Sequence, residues 1–412
     1  VVAAATTAAA AAAAAVAWSL WRASQKRKGG AAQKILKILV SEPSLGALEE
    51  KYLHHAYKST FISGGAGSYK KRLETEFSQM CGCLFGVATA NGTVAINLTL
   101  HAAGLKPGDE VICPSMTYVA SAAAIVDAGF TPVLADCDEL GLLDPRAVEA
   151  AVTPRTAAIL AVHLYGHVCD MDALCAVASR HGLVVIEDAA EAHGATYKGR
   201  PVGSLGDMAT FSFYANKVMT TGEGGIVVTN SKKYYDLMVY FRGHAMSSEK
   251  RFWHTDVGFN YRLSNLLCAI GVAQLERFRE LFAGRKRVID AYKAALDGCC
   301  GVRINPTHAS CEPSPWLACV WLPVEHAHLR DAVCEDLESR GIETRPFFYP
   351  VHTMPPYLNY KMVRAPGTEG EFVTNIVAGR GFNIPTSVGL TRAEVRFVSD
   401  SVREVLRAHC AP

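Results

Sequence analysis

Lys217 stands in the stretch "TFSFYANKVMTTGEGG", Thr210 to Gly225, between an aromatic, strand-like run and a glycine-rich turn. A lysine so placed is either a solvated loop residue or an amine held back from water to act as a base or nucleophile, and its neighbours in space decide which. Glu187 and Asp188 close the apolar run "LVVIEDAA", where an ionised group needs a cationic partner. Glu191 and His193 follow shortly after; His193 reads as a satisfied structural histidine or as a ligand contact. In "ATANGTVAI", Gly92 and Thr93 fall where a strand turns into a helix. Such a site is an ordinary Asn-Gly turn or an anion cradle built from backbone N–H groups and the positive end of the helix dipole. In "CPSMTYVASA", Tyr118 follows another strand, as a core aromatic or as a plate for a planar ligand. A lysine, a buried carboxylate able to keep a ring nitrogen protonated, an aromatic plate and an anion site are together the parts that pyridoxal phosphate requires.

Those residues must be brought together by a scaffold, and the sequence reads as strand alternating with helix. "GDEVICPS" precedes the helical "YVASAAAIVDAG", "FTPVLADCD" precedes "DPRAVEAAV", "AAILAVHLYG" precedes "MDALCAVASRHG", and "LVVIEDAA" follows. This pattern predicts a mainly parallel sheet covered on both faces over Thr89 to Asn230, with ligands at the carboxyl ends of its strands. "SEPSLGALEEKYLHHAY" reads as an extended arm followed by a short helix, and one long helical pattern begins at Ser264. "ISGGAGSYKK", at Ile62, lacks the ending of a phosphate-binding P-loop and reads as a flexible loop.

At 412 residues, 50% hydrophobic and 19% charged, the chain has enough apolar content for a large core and two domains. A formal net charge of +2 gives no broad basic field, which argues against nucleic acid and for small molecules as partners. None of the 13 cysteines forms a C-x-x-C pair, so neither a metal site nor a disulfide framework is expected, and reduced core thiols are. Residues 1–30 are set apart: Val1 to Trp21 is uncharged and alanine-rich, followed by a basic stretch. It reads as a membrane-contacting span by its length, a targeting segment, or a low-complexity tail. Otherwise a cytoplasmic location is expected.

The ordered series "TANGTVAI", "PSMTYVASA", "VHLYGH", "IEDAAEAHGA", "GSLGDMATFSFYANKVMTTGEGG", "GFNYRLSNLLCAIGVAQLER" and "GIETRPFFYPVHTMPPY" resembles the sugar aminotransferases often called DegT or StrS, from Ser41 to about Pro385. The resemblance implies an α/β protein of pyridoxal phosphate fold type I: a large cofactor-binding domain with its arm over 31–285 and a smaller C-terminal α+β domain over 286–412. It implies covalent attachment of the cofactor at Lys217, pairing of Asp188 with the pyridinium nitrogen, and stacking of Tyr118 on the ring. Gly92, Thr93 and Ser212 would hold the phosphate, with Asn260 of "GFNYR" reaching across from the second subunit of a homodimer. Glu191 departs from the commoner glutamine; ionised, it would repel the cofactor's phenolate oxygen, so it is expected to be protonated or turned away. Some relatives replace the lysine with histidine and act as dehydratases, whereas this chain keeps Lys217.

The implied reaction carries an amino group from glutamate to a nucleotide-linked keto sugar. "GIETRPFFYPVHTMPPY" resembles the branch that aminates C4 of GDP-linked 4-keto-6-deoxymannose. Arg345 would meet a phosphate or carboxylate there, and Phe347, Phe348 and Tyr349 would form an apolar wall or simply pack the small domain. The alternatives are a UDP- or dTDP-linked or non-nucleotide keto substrate, or a cofactor-binding regulator without turnover.

Overall fold

The structure, a computed structural model, describes residues 37–65 and 67–410. The low-complexity segment 1–30 therefore lies outside the described residues. The described residues from 38 onward form one compact unit.

Its centre is an eight-stranded sheet. Numbering the strands used here in chain order, these are β1 (Phe85–Thr89), β2 (Glu110–Pro114), β3 (Thr131–Ala135), β4 (Thr156–Val162), β5 (Val184–Asp188), β6 (Met208–Ser212), β7 (Gly225–Thr229) and, later in the chain, β11 (Met362–Val363). They lie in the order β1-β7-β6-β5-β4-β2-β3-β11. Every pairing from β6 to β11 is parallel, and β7 runs antiparallel to both its neighbours, β1 and β6. The apolar runs predicted as strands are buried from both sides, with one layer of side chains on each face. The helices start where the sequence supplies caps. The Asn91 side chain accepts from Val94 N–H at the head of helix Gly92–Ala102, and Asp170 caps Met171–His181, which ends on Gly182 in the left-handed region.

A four-stranded antiparallel sheet carries the second layer of the fold: β8 (Arg303–Ile304), β9 (Ala318–Trp321), β12 (Gly381–Ile384) and β10 (Arg345–Pro346), in that order. Helices Phe278–Leu296, Arg330–Ser339 and Arg392–Cys410 cover it around a separate apolar cluster. The long helical pattern from Ser264 is two helices, Asn265–Glu276 and Phe278–Leu296, parted at Arg277, whose ψ of 1° interrupts the helical backbone. The second helix runs unbroken through the division expected after residue 285. The stretch read as a loop, "ISGGAGSYKK", ends inside a helix, since Ser68–Lys71 open Ser68–Met80. The 13 cysteines are all free thiols, most of them buried. Among the described residues no helix is long and apolar enough to cross a membrane, and no cluster of potential ligands could hold a metal.

Adjacent acids at the end of β5 point to opposite faces, as strand alternation requires. Glu187, fully buried, accepts from the N–H groups of Gly203, Leu205 and Gly206 at 2.8–3.1 Å. It also accepts from His163 Nε2 at 3.0 Å; His163 Nδ1 in turn accepts from Cys169 N–H, which fixes the tautomer. Glu187 thus folds the 203–206 loop beneath the strand. Glu187→Ala would leave three buried N–H groups and an imidazole without acceptors, and a loss of about 3 kcal/mol or more is expected. The measurement is the urea midpoint at unchanged denaturant slope.

Candidate active site

The carboxyl ends of β2, β5 and β6 converge on one space, and Lys217 enters it from the loop between β6 and β7. Its amine is nearly buried, with Nζ 3.6 Å from Glu191 Oε1 and 3.8 Å from the centre of the Trp316 ring. Burial lowers the tendency of this amine to hold a proton, and Glu191 and Asp188 act in the opposite sense. The solvated-loop reading of Lys217 is thereby excluded.

Asp188, also buried, accepts from the Ser121 hydroxyl at 2.7 Å through Oδ2 and from Ala190 N–H at 3.2 Å through Oδ1. Burial raises its affinity for a proton, and Ser121, Ala190 and Lys217 draw it back down. Glu191 is turned by the backbone: its Oε2 accepts from Tyr165 N–H at 2.7 Å while Oε1 faces Lys217. Tyr165 adopts φ +52°, in the left-handed region, and its ring stacks on Phe348 and Trp316. Its hydroxyl accepts from Phe348 N–H, so one residue fixes both the carboxyl and the aromatic wall.

His193 is fully buried among Phe77, Phe211 and Phe213, and neither ring nitrogen has a hydrogen-bond partner among the described residues. Burial lowers it to about 3, so the ring is neutral. Neither ring nitrogen makes a full hydrogen bond, although the Ser212 backbone lies close enough to oppose the effect of burial. Tyr118 is not a core aromatic, being 57% exposed with its ring 5.5 Å from that of Phe348.

Gly92 and Thr93 open helix Gly92–Ala102, where first-turn N–H groups have no intrahelical partner. Ser212 closes β6 directly opposite: a Cβ at Gly92 would sit 3.0 Å from that of Ser212. A backbone approached so closely, at a helix N-terminus, suits a phosphate. Asn260 is exposed, with its side-chain oxygen accepting from Arg262 Nε at 3.0 Å. Of the residues expected around the sugar, Phe347 is fully buried against Tyr165 and Trp321 and packs the core, Phe348 lines the space, Tyr349 is exposed, and Arg345 lies 3.5 Å from Glu343.

Four participants were absent from the residues expected from the sequence. Ser121 follows Tyr118 by one helical turn in a stretch singled out for the tyrosine. Tyr165 lies inside "VHLYGH", a motif given no role. Trp316, in "PSPWLACV", and Arg285, inside a helix with its guanidinium donating to the Lys217 carbonyl at 3.2 Å, carry no local signal. An orphaned neutral imidazole, an amine with two carboxyls, an exposed aromatic plate and a Gly–Ser cradle at a helix start together fit pyridoxal phosphate.

Comparison with known proteins agrees. Residues 43–403 match the DegT/DnrJ/EryC1/StrS aminotransferase family. GDP-perosamine synthase of Caulobacter vibrioides is 44% identical over 373 residues, 90% of this chain and 98% of that protein. The GDP-perosamine synthase of Escherichia coli O157:H7 is 39% identical over 89% of this chain and 98% of its own. The protein Spr1654 of Streptococcus pneumoniae, solved in its PLP form, superposes with a TM-score of 0.83 at 25% identity, covering 90% of this chain and 99% of that one. The chain belongs to the DegT/DnrJ/EryC1/StrS aminotransferase family. It is a pyridoxal-phosphate-dependent aminotransferase that works between an amino donor and a keto sugar.

Glu191 makes the site pH-sensitive. Burial pushes its carboxyl up to about 7, against the opposing pull of Lys217 and Tyr165 N–H, from an ordinary 4.5. As pH rises between those values the unfolded chain releases this proton while the folded chain keeps it. The contribution of Glu191 to stability therefore falls across that window and is level above it. The fall amounts to at most about 3 kcal/mol. Glu191→Gln keeps an acceptor for Tyr165 N–H and removes the titration, so the urea midpoint of the cofactor-free variant should drop less between about pH 5 and about pH 7 than the parent's. Equal drops would assign the slope to other groups.

Proposed function

We propose that this member of the family transfers the amino group of glutamate to C4 of a GDP-linked 4-keto-6-deoxy sugar, giving GDP-perosamine from GDP-4-keto-6-deoxymannose. The observation that carries the chemistry is the buried Lys217 amine between Glu191 and the Trp316 face, beside Asp188. The sugar nucleotide is supported by the 44% identity to a GDP-perosamine synthase along nearly the whole of both chains.

In this reading Lys217 is the covalent attachment point, Asp188 pairs with the ring nitrogen, Tyr118 covers a ring face, and Gly92, Thr93 and Ser212 take the phosphate. His193 and Glu191 complete the pocket. The cofactor, when bound, supplies an electron-withdrawing ring that accepts the electron pair left as a proton departs from the amine-bearing carbon. The part of Lys217 is to take that proton at Nζ from the α-carbon of glutamate, which leaves as 2-oxoglutarate, and in the second half to deliver one to C4 of the sugar. Ser121 and Ala190 N–H orient the Asp188 carboxylate, whose negative charge favours a protonated ring nitrogen. Near neutrality Glu191 can carry its own proton, which spares the cofactor's phenolate a second negative charge. Residues 31–285 supply the cofactor-holding groups, and 286–412 close one side with Trp316 and Phe348. That Asn260 is exposed, in a stretch of chain that also exposes Phe252, Trp253 and Val257, supports its reaching a partner subunit's site in a homodimer. A cytoplasmic location accords with the free thiols and with a nucleotide-linked substrate.

Borohydride treatment of the holoenzyme should fix the label on the peptide containing Lys217, and Lys217→Ala should lose turnover. With GDP-, UDP- and dTDP-linked 4-keto-6-deoxy sugars compared through kcat/KM, the GDP sugar should lead by about tenfold or more. A UDP or dTDP preference of that size would overturn the substrate and leave the aminotransferase standing. For the shared site, inactive Lys217→Ala and inactive Asn260→Ala chains, mixed under conditions of proven subunit exchange, should regain part of the activity; no recovery would refute it.

A further inference from the structure

Arg285, on helix Phe278–Leu296, is only 1% exposed, and its guanidinium meets carbonyls and a hydroxyl instead of an acid. One terminal nitrogen donates to Trp316 O at 2.9 Å and to Thr386 O at 3.4 Å. The other donates to Lys217 O at 3.2 Å, Asn216 O at 3.3 Å and Ser41 Oγ at 3.1 Å. Nε has no partner among the described residues. A buried charge without a counter-ion is costly, and here it is met by four carbonyl dipoles and the Ser41 hydroxyl.

Two of those carbonyls belong to the residues whose side chains form the contact at the heart of the site: Lys217, whose Nζ lies 3.8 Å from the ring centre, and Trp316, which provides the ring. The intervening carbonyl, Asn216 O, also accepts from Trp316 Nε1 and from Ser41 Oγ, both at 3.0 Å. The arm, the lysine loop and the strand after Trp316 are therefore tied at one guanidinium. We propose that Arg285 is a positioning residue of the reaction: its guanidinium clamps the backbones of Lys217 and Trp316 together and so holds the amine over the ring.

The guanidinium also enters the charge balance around Lys217. Facing it are Glu191 and Asp188, from the end of β5 and the turn beyond, which favour the ammonium form. His193 is held neutral by burial, as is the buried Tyr165 phenol. Arg285 is the neighbouring cation, and it acts on Lys217 in the same direction as burial. Burial lowers the guanidinium to about 10, so it remains charged at neutral pH.

The inference rests on Lys217 as the proton carrier, so the test begins with borohydride labelling of each holoenzyme. A label away from Lys217 overturns that reading and the clamp with it; a label on Lys217 leaves the clamp to be judged separately. Two variants are then compared with the parent by the pH midpoint of the change in visible absorption of the bound cofactor and by kcat and KM. In Arg285→Met the positive charge is gone, so the midpoint should move upward by roughly half a pH unit or more. Its kcat should fall about tenfold or more, with KM for both substrates changed less than about threefold. Arg285→Lys keeps the charge and loses the fork, so its midpoint should stay at the parent's while kcat falls. A folded Arg285→Met with the parent's midpoint and kcat overturns the proposal. If Arg285→Met fails to fold, Arg285→Lys decides: a parental kcat overturns the clamp.

Discussion

A primary amine that is to accept a proton near neutral pH has to be kept from water, and the rest of this architecture answers to that requirement. Two carboxyls alone would hold Lys217 as an ammonium ion. Burial and the Arg285 guanidinium, which has no acid partner, act against them, whereas the negative face of the Trp316 ring sides with the carboxyls. The carboxyls are constrained in turn, since each enters the dry space only by accepting a specific donor: Ser121 and Ala190 for Asp188, Tyr165 N–H for Glu191. No group in the set can be changed without altering the proton affinity of the others.

Rigidity comes from the end of β5. Successive residues of a strand face opposite ways, and here both faces are used by acids. Glu187 gathers three N–H groups of a loop and a histidine below the sheet, while Asp188 points into the site. The structural acid thereby holds the chemical one in register. The parallel ladder from β6 through β4 then sets the spacing of everything presented at the strand ends.

Much of this was legible in the sequence for a physical reason. Strands buried on both faces have to be apolar along their length, so Asp188 at the end of "LVVIED" and Lys217 after "TFSFYAN" stand out as exceptions to the pattern. The helix start at Gly92 was likewise written locally, in an Asn that caps it. Trp316 and Arg285 could not be found this way, because their importance lies in contacts with residues 99 and 68 positions away in the chain, which no local periodicity encodes. Local rules also misplaced boundaries: apolar spacing runs straight across Arg277, where the backbone leaves the helix, and a glycine cluster hid the start of Ser68–Met80. Glu191 was singled out as unusual, yet its orientation depends on a backbone N–H that only the unusual turn at Tyr165 presents.

The antiparallel strand β7 has a consequence for how the chain matures. It is inserted between β1 and β6, so β1 is paired to the sheet through residues about 140 positions later, and the anion cradle at Gly92 closes only when Gly225 has been laid beside Asn91. Such distant pairings form slowly and late. On the ribosome, where the N-terminal part emerges first, the lysine loop is complete before Arg285 or Trp316 has been synthesised. A nascent chain therefore passes through a stage in which the reactive amine has neither floor nor clamp. Capture of the cofactor in its final geometry is accordingly a property of the finished chain.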